Sequence, residues 1–280
     1  MIKDILVHLD ASDTCAQCVE AAAMLAKRKG AHLVGVAFAL ESSLLQYYGG
    51  KLDLDMGDGD NETIRQAARA AIDIFEQGTK ELGLSTQSRI VECSTMELGE
   101  KIAFEARHVD MTFLEQPSPD RKNRGLMTSL LEGALFNTGR PVYIVPYIGR
   151  RETPVRKAVI AWDGSYKSAR AVNDAIPLLQ DRGETVVLIV DPEKRKKSHG
   201  PNPGMDIAAH LERHSIKTTI VEQLSGGLDI SNTILNFVSD SGADLLVMGA
   251  YGHSRLRERT FGGVTRTILD QMTVPVLMSN

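Results

Sequence analysis

The chain has 280 residues, 42% of them hydrophobic and 24% charged, a composition that excludes a disordered polymer and leaves room for two domains of ordinary size. A net charge of -4 and a pI near 6.0 argue against nucleic acid or an anionic membrane surface as the main partner. No apolar run approaches the ~18 residues of a membrane span, and three cysteines, Cys15, Cys18 and Cys93, cannot build a disulfide framework.

The sequence Met1-Ile2-Lys3-Asp4 runs straight into an apolar pattern without a signal-peptide layout, so a cytoplasmic location is expected. Residues 2–10, IKDILVHLD, read as a strand closed by Asp10, with Ser12 two residues on. Val19, Ala22, Ala23 and Ala26 then recur at helical spacing, and Gly30 stands where a helix C-cap belongs. The run HLVGVAF is the second strand. An acidic stretch from Asp53 to Glu62 misses the calcium-loop pattern, because Gly57 stands at position 5 and Asp58 at position 6. It reads as a loop into a helix near 61–82, capped by Asp60 or Asn61, with Ile64, Ala68, Ile72 and Phe75 on one face. Ile90-Val91-Glu92 marks a third strand, Asp110 opens a fourth, and Pro141-Val142 opens a fifth.

The same order then repeats. Residues 155–163, VRKAVIAWD, end in Asp163 with Ser165 two residues on, and Ala171, Ala175, Leu178 and Leu179 form a helical face. Gly183 lies 20 residues after Asp163, as Gly30 lies 20 after Asp10, and is assigned the matching C-cap. The strand TVVLIV follows, then IVE at 220–222, Asp244 and Pro275-Val276; 31 residues separate Asp110 from Pro141 and Asp244 from Pro275. Self-similarity in one order, with β and α elements alternating, predicts an α/β protein. It is read as two tandem doubly wound (Rossmann-like) five-stranded parallel-sheet domains, 1–148 and 153–280, packed against each other. Such sheets bind ligands beyond the strand C-termini where strand order reverses, which singles out Asp10, Asp163 and whatever follows each fourth strand.

After the fourth strand of the second half the glycines run Gly249-x2-Gly252-x9-Gly262-Gly263, ahead of a helix carrying Ile268 and Leu269. Glycines at a strand end admit a ligand close to the backbone, and free N–H groups at a helix start favour an anion. Arg255, Arg257, Arg259 and Arg266 add positive charge nearby. With Asp163 closing strand one and Pro275-Val276 opening strand five, this spacing resembles the universal stress protein family, as two copies over nearly the whole chain.

The resemblance implies an adenine nucleotide (ATP, ADP or AMP type, with or without Mg2+) as cofactor in the second half. Gly249, Gly252 and Gly262 would then line the phosphates, Asp163 would sit by the adenosine, and Val190 would pack on the base. His253 is the histidine placed to touch a phosphate. Gly263 takes the place of the family's Ser, followed by Val264, and Thr265 is the nearest substitute hydroxyl. At the ungapped offset of 134, Gly249 corresponds to Glu115, Gly252 to Ser118, Gly262 to Thr128 and Gly263 to Ser129. Glu115 would put a carboxylate where phosphate belongs, so the first site reads as degenerate, with Thr128 and Ser129 left to cap the helix.

Cys15-Ala-Gln-Cys18 at a helix start invites a redox or zinc reading, with Cys93 and His8 or His32 as further ligands. The flanking residues of thioredoxin-like motifs are absent, and two small helix residues facing the sheet is the reading adopted; no metal site is expected. There is no G-x-S-x-G elbow and no Walker Lys, so no catalytic residues are assigned. Two function classes stand: a cytoplasmic nucleotide-binding stress-response regulator, and an interaction or dimerisation module of the same fold, with a homodimer as the candidate assembly.

Overall fold

Where both faces of a strand are covered, burial selects unbroken runs of Val, Ile and Leu. Ile5, Leu6 and Val7, and likewise Leu245, Leu246 and Val247, are wholly buried. A computed structural model describes residues 1–10, 12–40, 59–118, 123–148, 155–180, 183–195, 202–250 and 263–280. The chain divides into two units. One takes in Ile2–Glu115 and Lys122–Thr138; the other takes in Met1, Gln116–Arg121 and Gly139–Asn280.

The first unit holds β1 (Asp4–Leu9), α1 (Asp13–Lys29), β2 (His32–Leu40), α2 (Gly59–Glu81), β3 (Thr86–Cys93), α3 (Leu98–Ala106), β4 (Met111–Glu115) and α4 (Arg124–Phe136). Its strands run parallel in the order β3-β2-β1-β4, so the order reverses between β1 and β4. Gly30 caps α1 with φ 59°, the left-handed turn the sequence led one to expect. Helix α2 already begins at Gly59, so neither Asp60 nor Asn61 is its cap. Along α2, Ala68, Ala71 and Phe75 are buried, while Ile74 faces out.

The second unit holds β5 (Val142–Val145), β6 (Lys157–Ala161), α5 (Tyr166–Leu179), β7 (Glu184–Val190), a 3-10 turn at Pro192–Arg195, and α6 (Met205–Arg213). It continues with β8 (Thr218–Gln223), α7 (Ile230–Asp240), β9 (Leu245–Gly249), α8 (Gly263–Gln271) and β10 (Val276–Ser279). The order is β5-β10-β9-β6-β7-β8, and the reversal falls between β6 and β9. The pattern is doubly wound and mostly parallel. One strand departs from the all-parallel expectation: β5 runs antiparallel to β10, with Leu277 opposite Tyr143. The pairing covers an apolar edge that β10 would otherwise present. Gln116, also in this unit, is buried; its amide donates to the Leu269 carbonyl at 2.8 Å and accepts from the Tyr147 N–H at 3.2 Å.

Gly183 is not the cap of α5. The helix stops at Leu179 with Gln180 as its C-cap, and Gly183 instead passes within 3.0 Å, measured from an added Cβ, of the Val155 and Arg156 carbonyls. The repeat also extends to contacts that the spacing does not announce. The Asp110 carboxylate accepts from the N–H of Lys3 and of Asp4 at 2.6 and 3.1 Å, and Asp244 accepts from Arg156 and Lys157 at 2.9 and 3.0 Å. Asp110 thus ties the entry of β4 to the start of β1, and Asp244 ties the entry of β9 to the start of β6.

Candidate functional site

The Asp-x-Ser that ends each first strand is a turn joined to a helix cap. Asp163 Oδ1 accepts from the Ser165 N–H at 3.0 Å, and Ser165 Oγ accepts from the Ser168 N–H at 3.1 Å, opening α5. Asp10, Ser12 and Cys15 repeat this at 2.7 and 3.1 Å ahead of α1. Asp163 therefore stands at the switch point between β6 and β9, with its side chain held from below by its own turn.

Gly249 ends β9 beside it. A Cβ there would lie 2.7 Å from Lys167 C and Ser168 N at the start of α5. Glycine is needed at this position because strand and helix meet backbone to backbone. Gly263 begins α8, is exposed, and has nothing within 4 Å of an added Cβ. The N–H groups of a helix start and open space at its first residue fit an anionic ligand. Val264 is half-buried and Thr265 is buried. Gly252, His253 and Gly262 lie outside the described residues.

Val190 ends β7, half-buried, and the next residue was not singled out by the sequence. Asp191 has φ 49°, a left-handed conformation that Asp and Asn tolerate. Its carboxylate accepts from Lys194 Nζ at 2.6 Å, from the Ser225 N–H at 2.9 Å and from the Ser225 hydroxyl at 2.7 Å. These contacts, Lys194 first, hold its pKa down to about 2 from an ordinary 3.8. They fasten the ends of β7 and β8 across 34 residues of sequence, a separation at which no motif signals the pairing. Because the folded state depresses this pKa, the carboxylate's contribution is fully present above pH 3.8 and is lost as pH falls toward about 2. Asp191→Asn keeps the turn and removes the charge. The wild-type advantage in urea midpoint over this variant should be constant at neutral pH and shrink steadily across that acid window; an advantage unchanged at pH 2 would refute the assignment.

In the first unit the matching ground is closed. Glu115, 4% exposed, receives the Thr14 hydroxyl, and the Ser12 hydroxyl stands 3.5 Å from its Oε2. The carboxylate thus sits at the N-terminus of α1, where the helix dipole favours negative charge. Thr128 and Ser129 do not cap α4, which already starts at Arg124; both hydroxyls bond back to carbonyls four residues earlier, at 2.8 and 3.1 Å. Cys15 and Cys18 are buried, and burial pushes both thiols well above their ordinary pKa, which opposes thiolate chemistry. His8 is buried beside Glu115; burial lowers its pKa, and the charge of Asp10 opposes that shift. Asp10 also lines a cavity of about 360 Å³ walled by Val19, Ala23, Ala71 and Phe75 between α1 and α2. Among the described residues, no helix is long and apolar enough to cross a membrane.

Residues 154–280 match the Universal stress protein family. Universal stress protein Slr1230 of Synechocystis sp. (strain ATCC 27184 / PCC 6803 / Kazusa) is 26% identical over 159 residues, 55% of this chain and 52% of that protein. The chain thus spans about half the length of the curated relative it matches. A crystal structure of a universal stress protein from Archaeoglobus fulgidus DSM 4304 is similar with a TM-score of 0.75 at 15% identity, over 99% of this chain and 96% of that one. A functionally unknown protein of Pseudomonas aeruginosa PAO1, PA1789, gives a TM-score of 0.55 at 14% identity, over 99% and 92%. At these identities the likeness of the structures is one of fold.

Proposed function

We propose that this chain, whose residues 154–280 match the universal stress protein family, binds an adenine nucleotide there and serves as a cytoplasmic stress-response regulator, not a catalyst. One observation carries the reading: the spacing Gly249-x2-Gly252-x9-Gly262 begins at the strand end beside Asp163, where strand order reverses, and leads to the open helix start at Gly263. Asp163 would face the adenosine, Val190 the base, and the N–H groups at the start of α8 the phosphates, with or without Mg2+. In the first half the buried carboxylate of Glu115 stands at the position of Gly249 and disfavours a phosphate there.

Isothermal titration with ATP tests this. Gly252→Val should abolish binding by filling the cradle, and Ser118→Val, its first-half counterpart, should leave binding unchanged. Gly263→Ser places a hydroxyl in space that is open around Gly263, so it should tighten binding about fivefold, on the order of 1 kcal/mol. No binding by the wild-type chain at millimolar ATP, or equal losses from changes in both halves, would favour the interaction module instead.

A further inference from the structure

We propose that the first unit holds a divalent cation of the zinc class, bound by His8, Asp10 and Glu115 at the C-terminal ends of β1 and β4. The three side chains each bring one donor atom, and all three donors lie within 4.8 Å of one another. His8 lies near the end of β1 and Asp10 just beyond the strand's end at Leu9, and Glu115 closes the set from the end of β4. Ligands about 2.0–2.2 Å from a common ion stand roughly 3.0–3.5 Å apart, so small side-chain rotations complete the shell.

A separate observation lifts this above a cluster of acids. His8 is 7% exposed, and its Nδ1 has no hydrogen-bond partner among the described residues. That nitrogen points at Glu115 Oε1 from 3.9 Å, beyond hydrogen-bond reach. Buried imidazole nitrogens are ordinarily satisfied, and a cation between the two groups supplies what a direct contact does not. The carboxylates are already oriented by other atoms: Asp10 Oδ1 accepts the Ser12 N–H at 2.7 Å, and Glu115 Oε2 receives the Thr14 hydroxyl. Such outer contacts are what holds ligating groups in place. Cys15 is engaged elsewhere, its thiol accepting the Asp10 N–H at 3.1 Å and donating to the His8 carbonyl at 3.4 Å.

One nitrogen and two carboxylate donors suit Zn2+, Co2+, Mn2+ or Fe2+ better than Mg2+ or Ca2+, which take oxygen shells. Asp10 gives the cluster an approach, since it also lines the cavity between α1 and α2. The second unit is an internal contrast. There the repeat puts Ala161 and Gly249 at the positions of His8 and Glu115, and Asp163 stands without them.

Co2+ is the probe, read by its visible absorption during titration of the purified full chain and by displacement with Zn2+. One Co2+ per chain is expected, with affinity about 100-fold or more weaker in His8→Ala and in Glu115→Gln. Zn2+ should raise the melting temperature of the wild-type chain but not of these variants. Glu115→Gln, nearly the same size, keeps the test valid should His8→Ala fail to fold. His210 on α6 and His214 at its C-cap, whose rings lie 4.9 Å apart, form the competing pair. The double variant His210→Ala/His214→Ala should bind as the wild type does. Absence of Co2+ binding at submillimolar metal, binding retained in both His8→Ala and Glu115→Gln, or binding lost in the double histidine variant would each overturn the proposal.

Discussion

Gly133→Ala should cost the first unit about 3 kcal/mol, at or beyond the upper end of ordinary overpacking. A Cβ at Gly133 on α4 would fall 2.1 Å from the Gly99 carbonyl oxygen and 2.6 Å from Gly99 C and Cα on α3. Gly99 is less confined, its own Cβ position lying 3.0 Å from the Ser129 carbonyl oxygen and 3.7 Å from Gly133 Cα. Every atom in the way belongs to a backbone, so no side chain can swing aside. The two helices must separate, and that loosens the buried contacts of Leu98, Ile102, Leu130 and Leu131 beneath them. Gly125→Ala on the same helix supplies the contrast. Its Cβ meets nothing within 4 Å, and at this second position of α4 the exchange for alanine should be neutral or stabilising by up to roughly 0.5 kcal/mol. Urea denaturation followed by circular dichroism separates the two, and equal midpoints for both variants would rule out the backbone contact.

Gly249→Ala should destabilise the second unit by about 2–3 kcal/mol. Its Cβ would press on Lys167 C and Ser168 N at 2.7 Å and on Lys167 Cβ at 2.9 Å, which forces the start of α5 away from β9. Ser165 and the turn of Asp163 move with that helix start, so ATP affinity should fall together with the melting temperature. Gly252→Val, in contrast, should abolish the proposed ATP binding while leaving the melting temperature near that of the wild type. A Gly249→Ala chain that melts like the wild type would show that strand and helix do not meet as closely here as their backbones indicate. At the matching place the first unit carries Glu115, whose carboxylate reaches the hydroxyls at the start of α1. One junction is therefore built in two ways, backbone against backbone in one half and carboxylate against helix start in the other.

What the sequence determined by itself is local or periodic. The repeat, the alternation of strands and helices, the Asp-x-Ser turns and the Gly30 cap all depend on residues a few positions apart or on the burial pattern of one element. A side chain that bonds its own backbone two or three residues on carries its signal in that spacing. The starts of α2 at Gly59 and α4 at Arg124 lie ahead of the residues whose type suggests a cap, because a hydroxyl such as Thr128 or Ser129 caps a helix or bonds within it according to where the first turn begins. Tertiary structure alone decided the rest. Asp191 finds Ser225 34 residues away, and Asp110 finds Lys3 107 residues away. Gly133 becomes indispensable only when α4 lies against α3, and His8 faces Glu115 only because β4 is laid beside β1. The antiparallel pairing of β5 with β10 follows the same rule, since a short apolar strand carries the pattern of its burial but nothing that names its neighbour.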